Sequence, residues 1–471
     1  MNDDIIKTIV FQLFEEQTLP GIMDYIRIPN GSPNYDPQWD TNGNQEKAVS
    51  FMANWVLSQN IKGLSLSIYK EKKRTPFLYI DINSSRVSDK RTILMYGHFD
   101  KQPAFTGWSP GLGPTIPVIK DGKLYGRGST DDGYALFGMI TAIKTCQRVN
   151  LPLPRIVIIV EGAEESNIED LNFYLSALKT KIGTPDFIVC LDSGVEDYKR
   201  LWVTTSLRGN CAIDLTVKTL KVGMHSGGGT GFVADSYFIL RRLLDRVENS
   251  DTGEIIVPEL RVSLPKNREE EIKRLVTIVK DDFLKNYPFY ENTQPIHKEL
   301  FDLVVNNTWQ PTLAVTGADG FPEASTAGNV LRPFSTVRLS FRLPPGVDTQ
   351  KAGEKIVEIL SKDPPYNAVV EAKLLGAGDG WNLDDKNYSK KLKDVLNTAS
   401  KRYFGNNEIE AFGEGGSIPF VQTFNQAFPK ADLAVMGVAG PGSSIHGPDE
   451  NLDLEFCKRF ICCIAHMLSE Y

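Results

Sequence analysis

No stretch of this chain approaches the roughly 20 consecutive apolar residues that cross a bilayer; runs such as Ile156–Val160 and Phe187–Leu191 are far shorter. Basic residues are not in excess either. With 52 Lys and Arg against 59 Asp and Glu, the net charge is -7, which removes the electrostatic footprint of a nucleic-acid or anionic-membrane binder. Cysteine is scarce: Cys146, Cys190, Cys211, Cys457, Cys462 and Cys463 have no framework spacing and form no CxxC pair. Adjacent Cys462 and Cys463 would fall on different faces of a helix, so buried, reduced thiols are expected. The opening Met1-Asn2-Asp3-Asp4-Ile5-Ile6 lacks the basic and apolar regions of a secretory signal, so a cytoplasmic protein is expected. What is present is ordinary: 471 residues, 41% hydrophobic and 24% charged. That is enough for a sizeable core in two domains or one elaborated domain, and it excludes wholesale disorder, collagen-like repeats and coiled-coil rods.

Along the first 205 residues, helical and strand patterns alternate. Asp4–Glu15 and Gln45–Gln59 have amphipathic helical spacing, Leu64–Tyr69 and Phe77–Ile82 read as strands, and Thr92–Tyr96 is a short apolar run entering a loop. Asp132–Val149 reads as a helix, Arg155–Val160 and Asp186–Leu191 as buried strands. This alternation predicts an α/β layer on a mainly parallel sheet. From about Arg208 the style changes. Cys211–Lys218 alternates like a half-exposed strand, Val233–Val247 is helical, and Glu269–Phe283 is a charged helix resembling an insertion. Strands at Thr312–Thr316 and Thr336–Leu343, a helix at Thr349–Ser361 and a strand at Ala368–Leu374 complete a β-α-β-β-α-β, ferredoxin-like order. After Gly380-Trp381 the first style resumes. The expected organisation is a larger domain in two parts, 1–207 and 382–471, with a smaller domain, 208–381, inserted between them.

Ligands of open α/β sheets bind at the carboxyl ends of the strands, and acidic and histidine residues fall there. The segments are Gly97-His98-Phe99-Asp100, Gly126-Arg127-Gly128-Ser129-Thr130-Asp131-Asp132-Gly133, Glu161-Gly162-Ala163-Glu164-Glu165-Ser166, Leu191-Asp192-Ser193-Gly194 and Gly437–Gly447, which carries His446. Taken singly, His98 reads as structural, Asp131 as a helix N-cap, Glu164-Glu165 as a solvated pair and Asp192-Ser193-Gly194 as a turn. Five such segments together point elsewhere. Imidazoles mixed with carboxylates suit Zn²⁺, Mn²⁺ or Co²⁺ better than Ca²⁺ or Mg²⁺. Asp100, Asp131, Glu164, Glu165 and Asp192 converging on one cleft would repel unless cations neutralised them, and two divalent ions sharing a carboxylate would also activate a water.

These motifs, with Glu414-Gly415-Gly416-Ser417-Ile418-Pro419 and the His446 loop, give the chain a close resemblance to the M20 family of di-metal peptidases and amidohydrolases, in its carnosine dipeptidase-like branch. The resemblance covers nearly the whole chain. It implies one metal held by His98, Asp192 and a bridging Asp131, and a second held by Glu165, His446 and Asp131, with Zn²⁺, Mn²⁺ or Co²⁺ as the ions. Glu164 is implied as general base, Asp100 as the group orienting His98, and the Asp131–Asp132 peptide as cis. His225, in Gly223-Met224-His225-Ser226-Gly227, corresponds to a histidine that reaches across a homodimer to polarise the scissile carbonyl. Arg342 corresponds to the arginine that binds the substrate carboxylate, completed by Asn329, Gly416 and Ser417. Many members carry threonine where this chain has Asn329. His297 and His466 match no motif and are expected to be structural. The implied activity is hydrolysis of a peptide bond next to a free C-terminal carboxylate, with N-acyl amino acid deacylation or a non-catalytic role as alternatives.

Overall fold

A computed structural model describes residues 3–86 and 88–471. In chain order the strands that build the two main sheets are β1 (Leu64–Tyr69), β2 (Phe77–Ile82), β3 (Thr92–His98), β4 (Arg155–Glu161), β5 (Phe187–Cys190), β6 (Trp202–Leu207), β7 (Gly209–Lys218), β8 (Thr312–Asp319), β9 (Phe334–Leu343), β10 (Val369–Gly378), β11 (Trp381–Asn382), β12 (Glu410–Glu414) and β13 (Asp432–Val435). The larger sheet runs β1-β2-β4-β3-β5-β13-β6-β11, with β12 also pairing β6. Its centre, β4-β3-β5-β13, is parallel; β1, β2 and β11 join antiparallel, and β6 meets β13 antiparallel.

The parallel centre follows from the sequence. Residues of β3 and β5 are buried throughout, because helices cover both faces and leave no wet side for polar residues. One covering layer includes α1 (Tyr134–Arg148) and the closing helix Leu454–Glu470, whose Phe460 and Ile461 lie in the same apolar cluster as Phe137 and Ile140. The cysteines are free thiols and all are buried. Among the described residues, no helix is long and apolar enough to cross a membrane.

The second sheet runs β8-β9-β7-β10, antiparallel throughout. This is the ferredoxin-like arrangement. Cys211, Ile213, Leu215 and Val217 point inward from β7 at every second position, where they meet α2 (Ser236–Leu244) and α5 (Thr349–Ser361). The charged segment between α2 and β8 packs elsewhere. Its helices α3 (Lys266–Val279) and α4 (Leu300–Trp309) place Ile272, Leu275, Val304 and Trp309 in the core of the larger sheet. Where the chain passes between the sheets, Gly209 lies so close to Gly378 and Gly380 that a Cβ would come within 2.7 Å of their backbone atoms. The crossing therefore admits no side chain there.

Candidate metal centre and substrate cleft

The four parallel strands deliver their carboxyl ends to one place. His98 is the last residue of β3, Glu164 and Glu165 follow β4, Asp192 follows β5, and His446 lies in the loop after β13. Asp131 sits just ahead of α1, and its peptide bond to Asp132 is cis. Gly437 is required at the β13 exit, because a Cβ would stand 1.8 Å from the Ser193 carbonyl oxygen.

The seven expected residues assemble. His98 Nε2 lies 3.0 Å from Asp131 Oδ1 and 3.7 Å from Asp192 Oδ2. His446 Nε2 lies 2.8 Å from Asp131 Oδ2 and 3.4 Å from Glu165 Oε1. Asp131 thus faces one imidazole with each oxygen. Asp100 Oδ1 lies 3.4 Å from His98 Nδ1 and accepts from the Glu164 backbone N–H at 3.1 Å, while Oδ2 accepts from Glu165 N–H at 3.0 Å. One buried carboxylate therefore orients the histidine and fixes the turn that carries both glutamates. Gln102 Nε2 donates to Glu165 Oε2.

Charge is the dominant feature. Burial, reinforced by Asp192, holds Glu164 well above the usual carboxylate range. Burial and Asp131 push Glu165 up to about 7, and burial raises Asp192 against the pull of His98. Burial opposes charge on His446, yet hydrogen bonds to Asp131 and Glu165 push it up to about 11. Asp131 moves the other way, lowered by the two imidazoles despite its burial. A cluster that keeps protons on its carboxylates near neutral pH is one short of positive charge. The donor atoms fit divalent cations. One atom each from His98, Glu164 and Asp192, and one each from His98, Asp131 and Glu165, lie within 4.8 Å of one another. Glu165 Oε1 is buried and has only the His446 imidazole beside it, at 3.4 Å, which leaves it open to a cation.

The centre opens on a cleft of about 230 Å³ lined by Thr130, Glu414, Gly416, Ser417, Ile418 and Ile445 in addition to the acidic residues. Arg342, near the end of β9, donates from Nη1 to Ser417 Oγ at 2.5 Å, so the second sheet reaches the rim here. His225 and Asn329 do not line the cleft of their own chain. Both are exposed, and they are neighbours: His225 pairs with Val330, and Ser226 N–H donates to the Asn329 carbonyl at 2.9 Å. Asn329 is therefore a neighbour of His225. His466 is buried with Nδ1 3.1 Å from Arg402 Nη1, and His297 is half-buried away from the cleft.

Two supports escaped the sequence reading. Glu450 Oε1 accepts from the backbone N–H groups of Gly128, Thr130 and Asp131 at 3.0–3.2 Å, and its Oε2 meets Arg127 Nη1 at 2.6 Å. Arg127 Nη2 in turn donates to the Gly447 carbonyl at 2.8 Å. This fully buried pair ties the Asp131 loop to the His446 loop. Its signal was Arg127 itself, a charge inside a glycine-rich turn that needed a counter-charge.

Residues 94–470 match Peptidase family M20/M25/M40. The chain is 27% identical to a cysteinylglycine-S-conjugate dipeptidase of Corynebacterium striatum, covering 82% of each chain. It is 28% identical to a β-Ala-His dipeptidase of Mus musculus, covering 80% of this chain and 76% of that one. Human carnosine dipeptidase 1 shares the fold with a TM-score of 0.79 at 19% identity, covering 99% of this chain and 98% of that structure. A site built on four strand ends, two imidazoles and five converging carboxylates is thus found in a chain that belongs to peptidase family M20/M25/M40.

Proposed function

We propose that this protein is a metal-dependent dipeptidase that cleaves a peptide bond next to a free C-terminal carboxylate. The observation that carries it is Asp131, which faces His98 with one oxygen and His446 with the other between Glu165 and Asp192. His98, Asp131 and Asp192 would hold one divalent cation, and Asp131, Glu165 and His446 a second, with Zn²⁺, Mn²⁺ or Co²⁺ matching the mixed donors. Such ions supply Lewis acidity and lower the pKa of bound water.

The chain's own residues do the rest. Glu164, whose proton affinity burial has raised, takes the proton of the attacking water and returns it to the leaving amine. Asp100 holds His98 and the Glu164 turn in place. Arg342 and Ser417, already joined at the rim, receive the substrate's carboxylate in the guanidinium fork. His225 and Asn329, exposed and adjacent, are suited to complete the site of a second copy, His225 donating to the oxyanion. That makes the working unit a homodimer, with residues 208–381 as its lid apart from α3 and α4. Six reduced cysteines are in keeping with the cytoplasm.

The test is hydrolysis of a dipeptide panel after EDTA stripping and re-addition of Zn²⁺, Mn²⁺ or Co²⁺ singly. Metal-restored cleavage that is lost in Glu164→Gln and lost on C-terminal amidation is expected. Release of acid from N-acyl amino acids, with silence on dipeptides, would sink the reading.

A further inference from the structure

Five carboxylates line the cleft: Asp131, Glu164, Glu165, Asp192 and Glu414. The proposed reaction uses the first four. Glu414, the last residue of β12, has no role in it. Its Oε1 accepts hydrogen bonds from Thr204 Oγ1 at 2.7 Å, from the Gly194 backbone N–H at 3.2 Å and from the Ser193 hydroxyl. Three donors on one oxygen fix the plane of the carboxylate. The other oxygen, Oε2, takes no hydrogen bond and the group meets no lysine or arginine, among the described residues. Glu414 is thus an oriented carboxylate on the cleft wall, with one oxygen spent on the scaffold and one free.

A carboxylate in this setting is satisfied by a cation with N–H donors. In a cleft that takes a short peptide, that cation is the α-ammonium of the peptide's first residue. Spacing agrees. Glu414 and Ser417 are three residues apart, so their Cα atoms lie within about 11 Å of each other. Ser417 is where Arg342 waits for the carboxylate. The two charged ends of an extended dipeptide are about 7 Å apart, the same order as the span of this loop.

We infer that Glu414 reads the free amino terminus of the substrate through Oε2, so that one loop, 414–417, measures a zwitterionic dipeptide from ammonium to carboxylate. The inference rests on the dipeptidase reading and deepens it. It assigns the substrate class as unblocked dipeptides and excludes N-acyl amino acids, which carry no ammonium. Asp192, the nearest competitor for that role, already faces His98.

The experiment compares Ala-Ala with propionyl-alanine, which has the same skeleton with hydrogen in place of the ammonium, in metal-restored wild type and in Glu414→Gln. The glutamine keeps an acceptor for the three donors on Oε1. Wild type should favour Ala-Ala by about 10- to 100-fold in kcat/KM, the worth of one charged hydrogen bond. Glu414→Gln should lose that factor on Ala-Ala and hold propionyl-alanine within about twofold, with wild-type metal content and Tm. Equal losses on both substrates, or loss of metal, would mean that Glu414 only holds the Asp192 turn. Equal rates of wild type on both substrates would show that the ammonium is unread. Either result overturns the inference and leaves the dipeptidase reading standing. Wild-type silence on both substrates overturns that reading and this inference with it.

Discussion

Removing Arg127 should cost this protein more than removing any exposed arginine. The Arg127–Glu450 pair has 3% and 0% side-chain exposure, at 2.6 Å. Substituting Arg127→Met keeps the apolar stem and leaves the Glu450 carboxylate buried without its counter-charge, a change that costs about 3–5 kcal/mol. The bonds from Arg127 to the Gly447 and Pro103 carbonyls go as well, and each is worth about 1 kcal/mol. Allowing for overlap, about 4 kcal/mol is expected, against a total stability of about 5–15 kcal/mol. Urea unfolding of the metal-free protein measures this as a lowered midpoint at unchanged m-value. Because Glu450 also holds the backbone ahead of Asp131, cation affinity should fall by about 10-fold or more, as for other groups that orient metal ligands. Adding Glu450→Gln removes the stranded charge while keeping an acceptor for the three N–H groups, and should recover at least about half of the lost stability. A loss under about 1 kcal/mol for Arg127→Met, or no recovery in the double variant, would refute the view that this pair braces the site.

Other expectations follow from the same geometry. Glu164→Gln should lower turnover by about 10²- to 10⁴-fold with cation stoichiometry unchanged, checked by metal analysis beside the rate; a loss of metal would move Glu164 from base to ligand. Asp100→Asn should lower cation affinity or activity by about 10- to 100-fold, measured by competition with a chromogenic chelator. In the metal-free protein, burial opposes the charge on His446 but Asp131 and Glu165 push its pKa up to about 11. A folded value above the unfolded one, about 6.5, means that the stability this proton adds is complete below about pH 6.5 and lost as pH rises toward 11. Cation binding must expel the proton, so affinity should climb about tenfold per pH unit per proton released between pH 6 and 8. Calorimetry in buffers of unlike protonation enthalpy checks this, and binding without proton release would contradict it. Finally, inactive His225→Ala and Glu164→Gln proteins, once mixed and re-equilibrated, should regain about a quarter of wild-type activity if His225 acts across a two-fold dimer; mixtures that stay inactive would confine each site to one chain.

Much of this was legible in the residues. Strand-end acids and histidines announced the metal centre, because a parallel sheet brings its carboxyl ends to one side and leaves little choice of where His98, Asp192 and His446 point. The alternation in Cys211–Lys218 and the helix Thr349–Ser361 announced the second sheet for the same local reasons. Two things were not legible. The charged helix over Glu269–Phe283 read as an insertion, while Ile272 and Leu275 decide its partner by burial against the larger sheet; periodicity reports an apolar face but not what covers it. Glu450 was not singled out, and Glu414 was legible only as the first residue of the Glu414–Pro419 segment. Their roles depend on backbone N–H groups far away in the chain, and no local pattern encodes a long-range acceptor.

The strand ends that meet at the centre also set an order of events during synthesis. His98, Asp131, Glu165 and Asp192 leave the ribosome long before His446 and Glu450, and β13, which places the His446 loop, inserts between β5 and β6. The larger sheet therefore cannot close around its nascent first half. Until the last segment arrives, β5 is the open edge of the sheet, and the acids at the ends of β3, β4 and β5 have neither the second imidazole nor the Arg127–Glu450 brace. Pairings so distant in sequence form slowly, so capture of the cation proposed to need His446 would be a terminal event of folding, and a chain truncated before β13 would leave the ribosome without that site.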